Sequence, residues 1–88
     1  MKLNDYFGSA GVMALPKRLR DLREYMDLNQ TQVANLLNIS QSGYSKYETG
    51  ENDVPTAVLI KLADFYDTSV DYILGCTNER KRYPSNPL

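Results

Sequence analysis

Residues 29–50 read Asn-Gln-Thr-Gln-Val-Ala-Asn-Leu-Leu-Asn-Ile-Ser-Gln-Ser-Gly-Tyr-Ser-Lys-Tyr-Glu-Thr-Gly. Read as two short helices hinged at Asn38, the stretch turns Val33, Ala34, Leu37, Ile39, Tyr44 and Tyr47 inward. Gln41, Ser42, Ser45 and Lys46 are left outward. Asn29 offers a side-chain oxygen to the start of the first helix, and Gln32 three residues on completes a capping-box pattern. Ala34 supplies the small side chain needed where the two helical backbones approach. Asn38 has to reverse the chain and is expected in the left-handed region, which asparagine tolerates better than most residues. Ser40 is placed to cap the second helix, and Thr49-Gly50 to end it. The result is a tight turn between two helices, with a polar ridge on the second.

The flanking segments read as support for that pair. Leu19, Leu22 and Met26 recur at helical spacing, so a first helix is predicted over 16–26 with Pro16 at its start. Beyond the polar loop Glu51-Asn52-Asp53, Pro55 opens a fourth helix carrying Val58, Leu59, Leu62, Ala63 and Tyr66, its apolar face widened by Ile60 and Phe65. Asp67-Thr68 breaks it, Ser69 caps a short fifth, and Gly75 stops that helix. Residues 1–14 show no clear period and read as an extension, in which Leu3, Tyr6 and Phe7 are candidates for packing on the domain or a second subunit. Residues 77–88, charged and broken by Pro84 and Pro87, read as a tail. The fold class is therefore all-α: five helices over residues 15–76.

With 88 residues the chain has room for one domain and a modest core. Cys76 is the only cysteine and histidine is absent, so neither an internal disulfide nor a Cys/His zinc site can be built, and no cofactor or metal is expected. No apolar run approaches the roughly 20 residues that span a bilayer, and the first residues do not resemble a signal peptide. A cytoplasmic protein is expected. The formal net charge of -1 argues against a generic polyanion binder, since nonspecific affinity for nucleic acid comes from neutralising phosphates. What matters, however, is the sign of the contacting face. Lys17, Arg18, Arg20 and Arg23 cluster ahead of the motif and Lys46 lies inside it, whereas Asp64, Asp67 and Asp71 gather in the later helices. Without histidine, a metal cluster or a nucleophile paired with a base, catalysis has no specific footing, and an enzyme is not expected.

Gln30, Ala34, Leu37, Ile39, Ser40, Tyr47-Glu48-Thr49-Gly50, then Leu62-Ala63-Asp64 and Ser69-Val70-Asp71-Tyr72-Ile73-Leu74-Gly75 together resemble the lambda repressor and Cro type of helix-turn-helix regulator, also called the xenobiotic-response-element type. The likeness covers roughly residues 15–75. It implies a five-helix domain, usually a two-fold dimer, that binds double-stranded DNA at an operator near a promoter and is encoded by a bacterium or phage. The chain departs from the family at Asn38, where glycine is usual. A larger departure is the acidic Glu51-Asn52-Asp53 loop, where members often carry a basic loop, and it predicts weaker, more salt-limited binding.

On that resemblance Gln41 opens the recognition helix, where a primary amide can bond the N6 and N7 edge of adenine. Ser42 and Ser45 are further candidates for base contact, and Gly43 leaves room for close approach to the groove. Lys46 is expected on phosphate, and Gln30 is expected to clamp phosphate at a helix start whose backbone amides already favour an anion. Tyr44 and Tyr47 are read as core, with hydroxyls reaching toward the surface. Arg23 and Glu48 occupy positions that pair in related phage repressors. Val70, Tyr72, Ile73 and Leu74 are expected to close the core and form a dimer interface, because a lone recognition helix covers too few base pairs. The leading reading is a transcriptional repressor. The competing one keeps the fold but makes protein binding primary, as in an antitoxin whose acidic helices dock another chain.

Overall fold

The computed structural model describes residues 13–82. They form five helices: α1 (Met13–Tyr25), α2 (Gln30–Leu37), α3 (Gln41–Thr49), α4 (Thr56–Tyr66) and α5 (Val70–Leu74). Most of the predicted N-terminal extension, with Leu3, Tyr6 and Phe7, lies outside the described residues, as does the chain beyond Arg82.

Local chemistry sets the helix ends. Asn29 Oδ1 accepts from Gln32 N and Gln32 Oε1 accepts from Asn29 N, both at 2.8 Å, so the capping box at α2 is complete. Ser40 Oγ accepts from Gly43 N at the start of α3, and Ser69 Oγ from Tyr72 N at the start of α5, each at 3.0 Å. Three helices hand over through a left-handed Asx residue, Asp27 (φ 56°), Asn38 (φ 59°) and Asp67 (φ 52°), the residue types that bear this conformation at least cost after glycine. The Asn38 N–H reaches Ala34 O and Asn35 O, satisfying carbonyls that the end of α2 would otherwise leave open. Asn38 thus performs the turn in place of glycine.

α1 starts three residues before the predicted position, leaving Pro16 inside its first turn, and it ends at Tyr25. That early end explains a correction: Met26, expected in the core stripe, lies in the turn and is 45% exposed. The core is built by Leu19 and Leu22 of α1, Val33, Ala34 and Leu37 of α2, Tyr44 of α3, Leu59, Leu62, Ala63 and Tyr66 of α4 and Ile73 of α5. Ile39 and Tyr47 pack against it partly buried, whereas Ile60 and Phe65 of α4 stay exposed. α3 packs on both α1 and α2, and α5 on α1 and α4, so the second helix of the pair is held from two sides.

The stretch after α5 is less tail-like than its composition suggests. Arg18 Nη1 donates to Tyr72 O at 2.6 Å and Thr77 O at 2.7 Å, and its Nη2 to Asn78 Oδ1 at 2.8 Å. The Arg18 guanidinium also lies 4.0 Å from the centroid of the Tyr72 ring. Thr68, fully buried, donates through Oγ1 to Arg80 O at 2.5 Å, Arg80 stacks over Tyr25, and Arg82 pairs with Asp64. Residues 77–82 are therefore strapped back over α1 and α4. Arg18 shares helical spacing with Leu15 and Leu22, which pack against and in the core, and that register is the sequence signal for the clasp.

Candidate nucleic-acid interface

Tyr44 anchors α3. Its side chain is fully buried, and its ring meets Tyr47 edge-to-face with centroids 6.2 Å apart. With that side of a nine-residue helix pinned, Gln41, Ser42 and Lys46 are left exposed. Ser45, expected among them, is half-buried. Gly43 has a second role beside the close approach read from the sequence, since a Cβ there would lie 3.1 Å from Ser40 Oγ and crowd the cap. Gly50 ends the helix at φ 83°.

A bidentate ion pair fixes the far end of α3. Arg23 Nε donates to Glu48 Oε2 at 2.7 Å and Nη2 to Glu48 Oε1 at 3.0 Å, while Nη1 donates to Leu28 O at 2.9 Å. The two side chains are only 13% and 4% exposed, so the pair is a buried one. Burial by itself would push the Glu48 carboxyl up; the hydrogen bond from Arg23, with further help from that of Gln30, outweighs it and holds the group below its ordinary value. The hydrogen bond to Glu48 in turn raises Arg23. Beside the pair, burial raises the Tyr44 phenol strongly and pushes Tyr66 up to about 12. Both hydroxyl oxygens are buried, and neither has a hydrogen-bond partner of normal geometry among the described residues. The expectation that the Tyr44 hydroxyl reaches the surface is therefore corrected.

Gln30, read from the sequence as a phosphate clamp, is tied into this cluster. Its Nε2 donates to Glu48 Oε1 at 3.2 Å, and its Oε1 accepts from Gln41 Nε2 at 2.6 Å. Nothing in the spacing of the two glutamines revealed that contact, because they lie on different helices and meet only once the turn at Asn38 folds α3 across α2.

The basic residues ahead of the motif divide. Arg18 and Arg23 are committed inward, whereas Lys17 and Arg20 stay exposed in i, i+4 pairs with Asp21 and Glu24. With Pro16, Glu48 and Thr49 they line an open cleft of about 210 Å³ at the C-terminal end of α3. Glu51, Asn52 and Asp53 are exposed just beyond it. Of the residues read as a dimer interface, Val70, Tyr72 and Leu74 are half-buried, but Ile73 is 0% exposed and belongs to the core. Among the described residues no helix is long and apolar enough to cross a membrane, and no cluster of three or more potential metal ligands occurs.

A five-helix bundle with a capped helix, a tight turn and a second helix displaying a polar ridge defines a helix-turn-helix protein. The chain belongs to the helix-turn-helix family, whose pattern matches residues 19–73. It is 43% identical over 63 residues to the uncharacterized HTH-type transcriptional regulator YobD of Bacillus subtilis, covering 72% of this chain and 56% of that one. It is 40% identical over 76 residues to the HTH-type transcriptional regulator ImmR of the same organism, covering 86% and 60%. To the cryptic phage CTXphi transcriptional repressor RstR of Vibrio cholerae it is 35% identical over 63 residues, covering 72% and 56%. The chain thus spans somewhat over half the length of these curated relatives. No solved structure matches it.

Proposed function

We propose that the chain is a sequence-specific DNA-binding transcriptional repressor that acts in the cytoplasm and occupies an operator as a two-fold dimer. The observation that carries this reading is the exposed ridge of Gln41, Ser42 and Lys46 on a helix whose other side is buried and whose end is locked by a buried ion pair. Such a ridge fits the major groove, and family membership supports that use of it. Gln41 and Ser42 take the base edges, with half-buried Ser45 contributing less, and Lys46 takes phosphate. Lys17 and Arg20 add positive charge near the end of the same helix. Dimerisation through Val70, Tyr72 and Leu74 would bring two such helices to half-sites about 34 Å apart.

Selection of bound duplexes from a random pool tests the reading, with a recovered palindrome as the expected result. Against that site, Gln41→Ala loses about 1–3 kcal/mol of discrimination at one base position per half-site. Lys46→Ala weakens binding to every sequence alike and lowers the salt slope by about 1. Failure to enrich any sequence, together with a stoichiometric protein partner in pull-downs, would favour the partner-binding reading, for which the exposed Ile60 and Phe65 on α4 are the supporting observation.

A further inference from the structure

We infer that the clasp of Arg18 on the end of α5 is a ruler: it fixes the angle between the dimer face and the recognition helix, and so selects the half-site separation that the protein accepts. This rests on the reading of the chain as a two-fold, operator-binding dimer, and it makes Arg18 a positioning residue rather than a DNA contact.

α5 has five residues, little more than one turn, and a helix that short has no stability of its own. Ile73 is its one fully buried side chain, and a single point of attachment does not fix a direction. The direction comes from its C-terminal end. Arg18 Nη1 donates at 2.6 Å to Tyr72 O, a carbonyl of the last turn that also takes the Gly75 N–H at 3.1 Å, and at 2.7 Å to Thr77 O just beyond. Its Nη2 holds Asn78 Oδ1 at 2.8 Å, and the Tyr72 ring lies 4.0 Å beneath the same planar group. The acceptors at 77 and 78 are in turn held between Gly75 and the bond that buried Thr68 makes to Arg80 O. α5 cannot pivot about Ile73 without breaking several of these contacts at once.

The same helix grips the recognition helix. Arg23, five residues further on and about 7.5 Å along the axis of α1, is locked to Glu48 at the far end of α3. α3 and α5 both pack on α1, which therefore joins, through two arginines, the helix read as meeting DNA and the helix read as meeting the second subunit. With half-sites about 34 Å apart, each recognition helix lies about 17 Å from the two-fold axis. A pivot of about 10° in each subunit then shifts it by about 3 Å, close to the rise of one base pair. A loosened α5 would accept operators one base pair too long or too short, with each half-site still read correctly.

The test uses the full chain and palindromic duplexes that carry the selected half-sites at the selected separation, or with one base pair added or removed at the centre. The affinity ratio between selected and altered separations is compared with the ratio between the selected half-site and one changed at its most selective base position. Arg18→Met keeps the apolar stem and removes every donor. It is expected to lower the separation ratio at least about fivefold, the smallest effect of one wrong base pair, while the base ratio stays that of the parent, both measured below its unfolding midpoint. Arg18→Lys, which keeps the charge but not the planar fork, should fall with it. Asn78→Ala, at an exposed position, should shift the separation ratio in the same direction by less, and it decides the matter where Arg18→Met does not fold. An unchanged separation ratio in the folded variants overturns the inference. So does a fall of both ratios together, which would make the clasp a brace for the whole domain, and so does full recovery in Arg18→Lys, which would leave only a charge at the helix end. A parent chain that binds single half-sites as a monomer, indifferent to separation, would remove the dimer reading first and the ruler with it.

Discussion

At pH 7 the Glu48→Ala variant is expected to unfold with roughly 3–5 kcal/mol less free energy than the parent chain, measured by urea titration. For a domain of this size that corresponds to a fall in Tm of at least about 12 °C. The size of the effect comes from what is left behind. Arg23, 13% exposed in the intact domain, would lose its bidentate partner and keep its bond to Leu28 O and only the distant, solvent-exposed Glu24 carboxylate at 4.0 Å, and a buried charge without its close counter-ion costs far more than the intact pair contributes. Replacing both partners together, as in Arg23→Met with Glu48→Leu, should recover most of the loss, because then no buried charge is stranded. The exposed pair Lys17–Asp21 is the contrast: Asp21→Ala should cost no more than about 1 kcal/mol. Acidity gives an independent check. Because the folded-state pKa of Glu48 is depressed, its contribution is complete above the ordinary glutamate value of about 4.3 and is lost as pH falls through the folded value, where the unfolded chain binds the proton first. The gap between the parent and Glu48→Ala should therefore narrow in acid. A Glu48→Ala loss of less than about 1 kcal/mol at pH 7 would mean that the pair is effectively solvated.

The features written plainly in the sequence are those decided over three or four neighbouring residues. Asn29 with Gln32, Ser40 before α3, Ser69 before α5, Gly50 and Gly75 all act at the helix ends where their chemistry places them, since a cap needs only a side chain and the next turn of backbone. The alternation of buried and exposed residues on α2 and α3 was legible for the same reason. What could not be read was whatever depends on two helices meeting. Met26 keeps the spacing of a core residue, yet the turn at Asp27 removes it from the helix. Four cations ahead of the motif look like one basic face, but Arg18 is turned to α5 and the returning strap while Arg23 is turned to Glu48. The Gln30–Gln41 contact spans 11 residues and exists only through the crossing of α2 and α3. The ridge itself was therefore within reach of periodicity, and the network behind it was not.

Ile73 separates two roles that the fifth helix was expected to share. Its side chain is 0% exposed and joins the core formed by Leu19, Leu62 and Tyr66, so truncation to alanine should open a cavity and cost about 2–5 kcal/mol. Because the lost contacts lie within one chain, the loss should appear in a concentration series as the same downward displacement of Tm at every protein concentration. A residue holding two subunits together would behave differently: its removal would act most where the dimer is populated and fade on dilution. Leu74, half-buried on the same short helix, is the matched comparison. On the proposed dimer, Leu74→Ser should shift the sedimentation profile toward the monomer and weaken operator binding while moving Tm of the dilute chain less than Ile73→Ala does. If Ile73→Ala instead left the dilute chain's stability intact and abolished self-association, α5 would have to turn its buried residue outward on pairing, and the core described above would belong only to the separated subunit.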